Sequence, residues 1–248
     1  MTMHYTSEPM ARLEALQTLE KERTCGKKAE LEYVTQHHQR FLATLAICQK
    51  LVPNIEAKVL DIGRSPFTAI LHSYYPTVST MGFDPIDDDG GHRENGNAIV
   101  QNHITFDINN AKDTKMWPSH HEKFDLITFC ETLEHLNTAP EYAIAYLSTL
   151  LQPNGILLIT TPNAATLKNR ISLLCGQNPF EKIRLYEKNP GHFREYTTTE
   201  IKKMAQSLNL TVAHCYTINF YRSRYLAPFK LIPAFRDSIV VAIHQKSN

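Results

Sequence analysis

Two groups of residues in this sequence have types and spacings that could do chemistry. The first is acid and histidine. Glu131, Glu134 and His135 stand at i, i+3 and i+4 in ETLEHL, and His192 follows in GHFREYTTTEI (191–201). A helix beginning at Glu131 would project the first three from one face. Two carboxylates and two imidazoles suit a hard or borderline divalent cation such as Mg²⁺, Mn²⁺ or Zn²⁺. Such a cation lowers the pKa of a hydroxyl beside it. Without a cation, His135 or His192 suits a general base. A purely structural role competes with both, because acids in a first helical turn are favoured by the helix dipole. The second group is a row of acids that each follow an apolar run: Asp61 with Ile62, Gly63 and Arg64, then Asp84, then Asp107, with Cys130 closing the last run before Glu131. Asp84 falls about 20 residues after the first loop, the spacing that holds a ribose diol. Asp107 could accept a bond from an adenine amino group.

The elements that must position these residues are a parallel sheet and its helices. KVLDIG (58–63), TVSTMGFD (77–84), HITFDI (103–108), FDLITFC (124–130) and GILLITTP (155–162) are apolar runs of strand length. Near-continuous apolar character is the mark of strands buried on both faces. Helix-compatible stretches such as APEYAIAYLSTLLQ (139–152) separate most of them, which points to βαβ units. LTVAHCYTI (210–218) and SIVVAIHQ (238–245) lack a helix between them and pair more naturally antiparallel. Residues 10–52 read as helical, and a further helix is capped at Thr197 to Thr199 with Glu200. In an open parallel sheet, ligands bind outside the carboxyl ends of the strands. The acids stand at those ends.

Taken together, VLDIGRSPF, GFDP, FDI, KFDLITFCETLEHL and LLQPNGILLITTPN resemble, in order, the successive motifs of the class I S-adenosylmethionine (SAM)-dependent methyltransferases. The resemblance runs from about Lys58 to the C-terminus. It implies a Rossmann-like α/β fold, a seven-stranded mostly parallel sheet with an antiparallel last strand and helices on both faces. It also implies that Asp61 and Gly63 line the methionine part of SAM, Asp84 the ribose and Asp107 the adenine. Ile62, Arg64 and Cys130 complete the implied cofactor set. The loop Gly63-Arg64-Ser65-Pro66-Phe67 departs from the family's glycine-rich pattern, and Arg64 could there pair with the SAM carboxylate.

The E-x-x-E-H pattern with a later histidine is similar to that of small-RNA 2′-O-methyltransferases and ubiquinone-pathway O-methyltransferases. TPNAATLKNRISLLCGQNPF with GHFREYTTTEI resembles methyltransferases of bacterial cell-surface saccharides and secondary products. The resemblance therefore implies transfer to a hydroxyl of a small-molecule or saccharide acceptor. On this view residues 1–52 form a helical cap on the acceptor side. Residues 53–248 form the methyltransferase domain, with 219–236 either a lid insertion or a surface loop with its apolar side packed down.

Composition narrows the alternatives. Lys and Arg total 26 against 25 Asp and Glu, so the basic excess expected of a nucleic-acid coat is absent and an RNA acceptor is disfavoured. A non-catalytic SAM-binding protein on the same fold is the third reading. The five cysteines (25, 48, 130, 175, 215) form no C-x-x-C pair, which suggests reduced thiols. The absence of a long apolar stretch predicts no membrane span, and a cytoplasmic location is the default expectation. Oligomeric state has no signature here. The pairs His37-His38 and His120-His121 lie in polar stretches and read as solvated surface.

Overall fold

The computed structural model describes residues 28–83, 102–119, 122–184, 190–221 and 231–246, with side chains from Tyr33 onward. Asp84, His120, His121, Cys25, residues 10–27 and the 222–230 part of the expected lid lie outside the described residues.

In chain order the elements are α1 (Lys28–Leu51), β1 (Val59–Ile62), α2 (Pro66–His72), β2 (Val78–Gly82), β3 (Asn102–Thr105), β4 (Phe124–Cys130), α3 (Pro140–Thr149), β5 (Leu151–Pro162), α4 (Leu167–Leu174), α5 (Thr198–Ser207), β6 (Leu210–Ile218) and β7 (Ser238–Gln245). The strands form one sheet in the order β3-β2-β1-β4-β5-β7-β6. Pairing is parallel from β3 through β5, and β7 runs antiparallel to both neighbours. The expected fold is therefore the observed one. Strand order reverses between β1 and β4, so the loops leaving these strands diverge and open a crevice.

Side-chain alternation sorts the sheet into two faces. Leu60, Ile62, Ile127, Phe129, Leu157, Ile159, Val241 and Ile243 pack against α3 and α5. Val59, Leu126, Leu158 and Val240 pack on the other face against Phe41, Leu45 and Cys48 of α1 and Phe67, Ile70 and Leu71 of α2. Burying a Phe or Leu side chain in such a layer stabilises by about 1.5–3 kcal/mol. α1 is thus held by the same core as the strands.

Two boundaries differ from expectation. β5 begins at Leu151, four residues before GILLITTP, and its pairing with β4 shifts register between Phe124 and Leu126. Asn154 takes φ 68°, and at Gly155 a Cβ would lie 2.7 Å from the carbonyl oxygen of Phe124. Only glycine lets β4 approach so closely there. β3 ends at Thr105, so Asp107 sits beyond the strand and caps the 3₁₀ turn Ile108–Lys112 by accepting from the Asn109 amide at 3.0 Å.

Candidate functional site

A cavity of about 910 Å³ opens at the carboxyl edge of the sheet, centred on the crevice between β1 and β4. That is large enough for a nucleotide-sized ligand with an acceptor beside it. Asp61, Ile62, Gly63, Arg64, Asp107, Cys130, Glu131, Glu134, His135 and His192 all line it. Ten of the eleven residues expected at the site therefore share one cavity, and Asp84 is the one outside the described residues.

At the β1 end the geometry is closed. Asp61 points to the α1/α2 face and is 2% exposed. The hydroxyl of Thr68, from α2, donates to its Oδ2 at 2.6 Å, and the hydroxyl of Thr128, from β4, donates to Oδ1 at 2.7 Å. Burial still pushes the carboxyl up to about 7, against the lowering effect of the two hydroxyl donors. Gly63 turns the chain with φ +80°, a conformation that L side chains rarely adopt. The rest of the loop explains the missing glycines. Ser65 accepts from the Phe67 amide, Thr68 accepts from the Ser65 amide, and Pro66 occupies the first helical turn. A capping box with proline thus starts α2 where the family uses glycines.

At the β4 end the expected helix from Glu131 does not form. Glu131 has φ 51°, Leu133–His135 is a single 3₁₀ turn, and α3 starts only at Pro140. A left-handed residue cannot open an α-helix, and Pro140 fixes the first turn further on. The two acids consequently diverge. Thr160 and Thr161 end β5 on opposite faces of the sheet, and each donates to a different carboxylate. Thr160 reaches Glu131 Oε1 and Thr161 reaches Glu134 Oε2, both at 2.9 Å.

Glu131 lies on the α1 face. Arg40 donates from Nη1 to Glu131 Oε2 at 2.9 Å, and from Nη2 to the Tyr33 hydroxyl at 3.0 Å. The Tyr221 hydroxyl stands 3.3 Å from Arg40 Nη1 and 2.9 Å from His37 Nδ1. Burial disfavours the Arg40 charge, yet Glu131 and the two tyrosines outweigh it and hold the guanidinium above its ordinary range. The expectation of solvated surface at His37 is therefore corrected. The ring is half-buried in the cavity wall, held by Tyr221, whereas His38 is exposed.

Glu134 is 1% exposed, and its carboxyl is pushed up to about 8 by burial first and by the nearby Glu131 charge second. Its companions are His135 and His192, whose rings lie 4.9 Å apart edge to face. One ligand atom from each of Glu134, His135 and His192 lies within 4.8 Å of the others. Both imidazoles are oriented from behind. His135 Nδ1 is 3.0 Å from the carbonyl of Gly191, and His192 Nδ1 is 3.3 Å from Glu195 Oε1. A carbonyl or carboxylate only accepts, so each Nδ1 carries a hydrogen, and in the neutral ring each Nε2 keeps its lone pair. Burial lowers the pKa of His135, and the Glu195 hydrogen bond raises that of His192. The segment bearing His192 is tied to this turn, since the Phe193 amide donates to the Glu134 carbonyl at 2.8 Å.

The structure thus gathers three of the four expected acid and histidine residues and assigns the fourth, Glu131, to Arg40. Tyr33, His37, Arg40 and Tyr221 were not anticipated. The signal that could have found the first three is their spacing with Thr44, which places them on one face of α1.

A family model described as a methyltransferase domain matches residues 33–215. No curated protein sequence matches the chain. Among solved structures, the N-methyltransferase NodS from Bradyrhizobium japonicum with S-adenosyl-L-homocysteine is 18% identical with a TM-score of 0.54, the match covering 94% of this chain and 100% of that one. Magnesium protoporphyrin IX methyltransferase (ChlM) from Synechocystis, also with bound S-adenosyl-L-homocysteine, is 12% identical with a TM-score of 0.53, over 97% and 100% of the two chains. A SAM-dependent methyltransferase from Clostridium acetobutylicum is 15% identical with a TM-score of 0.53, over 91% and 94%.

Proposed function

The chain belongs to the class I SAM-dependent methyltransferase superfamily, and on that basis we propose that it methylates a hydroxyl of a small-molecule or saccharide acceptor. When bound, SAM supplies an electrophilic methyl group on a positively charged sulfur. The cavity fits it: Gly63 leaves the backbone bare at the β1 end, and Phe83, Phe106 and Ile108 offer apolar surface for an adenine beside Asp107. In this reading Asp61, Ile62, Gly63 and Arg64 hold the amino-acid end, Asp84 the ribose and Asp107 the adenine, with Cys130 alongside.

The observation that carries the acceptor chemistry is the Glu134–His135–His192 cluster. A sugar or phenolic hydroxyl is a poor nucleophile until its proton leaves. Two imidazoles with their Nδ1 hydrogens already engaged, next to a buried carboxylate, suit a divalent cation (Mg²⁺, Mn²⁺ or Zn²⁺) that lowers the acceptor's pKa. A second reading has its own support. The lowered pKa of His135 leaves its Nε2 lone pair available as a base without any cation. α1 and Tyr221 wall the acceptor end, in keeping with residues 1–52 as a cap and 219–236 as a lid.

The test is methyl transfer from radiolabelled SAM to a panel of sugars, phenols and amines, run with and without EDTA. Labelled hydroxyls with an EDTA-sensitive rate, restored by Mg²⁺, Mn²⁺ or Zn²⁺, are expected. Insensitivity to EDTA with a rate that falls below the histidine pKa selects the base reading. Transfer to amines alone overturns the hydroxyl assignment.

A further inference from the structure

The cation reading above makes the arrangement around Glu131 informative. Glu131 is three residues from Glu134, and its charge acts on both Glu134 and His135. It nevertheless contributes no atom to the three-residue cluster. Its Oε2 takes Nη1 of Arg40 at 2.9 Å, its Oε1 takes the Thr160 hydroxyl at 2.9 Å, and its φ of 51° turns it off the strand. Arg40 is itself 7% exposed and is braced by Tyr33 and Tyr221 on the far side. Such a braced, bidentate-capable guanidinium holds a carboxylate in one orientation.

We propose that Arg40 is a positioning residue that keeps Glu131 out of the Glu134–His135–His192 cluster, leaving a coordination position open there for the acceptor. Charge is partitioned to match. Arg40 pairs with Glu131, while Glu134, met by the Thr161 hydroxyl, stands beside the two imidazoles with which it can share a cation. A hard cation takes six or more ligands, so a site with three protein ligands retains positions for vicinal hydroxyls. A fourth protein carboxylate would occupy one of them and bind the cation more tightly.

The test is calorimetric titration with Mn²⁺ of the wild type, Arg40→Met, Glu131→Gln and the double variant, together with the acceptor KM. Arg40→Met is expected to tighten Mn²⁺ by about tenfold, as an added carboxylate ligand does, and to raise the acceptor KM while the SAM KM holds. Glu131→Gln should change Mn²⁺ affinity little. In the double variant the gain should disappear, because its origin is the released Glu131. Arg40→Lys keeps the charge but cannot span Tyr33 and Glu131 together. It should move Mn²⁺ affinity in the same direction by less, and it serves if Arg40→Met does not fold. Wild-type binding that Arg40→Met leaves unchanged or weakens overturns the proposal alone. So does a gain that survives in the double variant, which would be relief of repulsion only. If neither the wild type nor Arg40→Met binds millimolar Mn²⁺, the cation reading falls and this proposal with it.

Discussion

At the β1 end of the cavity Asp61 gives both carboxylate oxygens to threonine hydroxyls. At the β4 end Glu134 accepts from the Thr161 hydroxyl and from a backbone amide, and stands beside His135 and His192. Both acids are buried, and burial raises the pKa of both. The difference is in their partners. Around Asp61 the two donors come from α2 and β4, so the group locks β1, β4 and α2 together at the wall of the cavity. Glu134 stands instead beside two imidazoles and offers one atom to a cluster that can share a cation with them. Asp61 ties strands and helix together at the cofactor end, and Glu134 belongs to a cluster that can hold a cation.

The largest expected effects test that division directly. Glu134→Ala or His192→Ala should lower turnover by about 10²–10⁴-fold, the range for losing acid–base or equivalent activation. SAM affinity by calorimetry should stay within about twofold. Retained turnover in both variants would break the contrast. Asp61→Ala should act mainly on stability. It strands the Thr68 hydroxyl, at about 1–3 kcal/mol, and leaves Thr128 only its 3.5 Å contact with the Leu60 carbonyl. The melting temperature of a chain this size drops roughly 2–4 °C per kcal/mol. An unchanged melting temperature would mean that the threonines have other acceptors.

A subtler effect is pH. Glu134 is raised from 4.5 to about 8 when folded, so the native state holds a proton that the unfolded chain releases. Stability linked to it is full below pH 4.5 and is lost as pH rises through about 8. Asp61 gives a similar loss that ends near pH 7, starting from 3.8. In Glu134→Gln the loss above pH 7 should therefore vanish while the lower part remains. Thermal melts at closely spaced pH values decide this. Mn²⁺ affinity of the wild type should rise over the same upper window, because the proton must leave Glu134 first. The smallest effect expected is that of Thr160→Val, about 1 kcal/mol for one hydrogen bond, with the Arg40–Glu131 pair intact.

The strands were legible because buried parallel strands are continuous apolar runs, and of the acids that follow them Asp61, Asp107 and Glu131 line one cavity. Local backbone chemistry was less legible. ETLEHL has helical spacing, yet a left-handed Glu131 and the late Pro140 convert it to one 3₁₀ turn. The loop Arg64-Ser65-Pro66-Phe67 departs from the glycine pattern, and only the structure shows a capping box in its place. Partners far apart in sequence were not visible at all. Arg40 meets Glu131 across 91 residues, and Thr160 and Thr161 read as unremarkable strand residues until their opposite facings appear.

α1 shows its neighbours two different sets of residues. Val34, Phe41, Leu45 and Cys48 hold the helix to the sheet, while Tyr33, His37, Arg40 and Thr44 face the cavity. Phe41 and Tyr33 serve on both sides. The helix is therefore divisible for evolution and for engineering. The cavity positions recur every three or four residues and can be rewritten, two or three at a time, without disturbing the anchoring set. A small combinatorial library at His37 and Thr44 would sample new acceptor preferences while Tyr33 keeps its packing and its bond to Arg40.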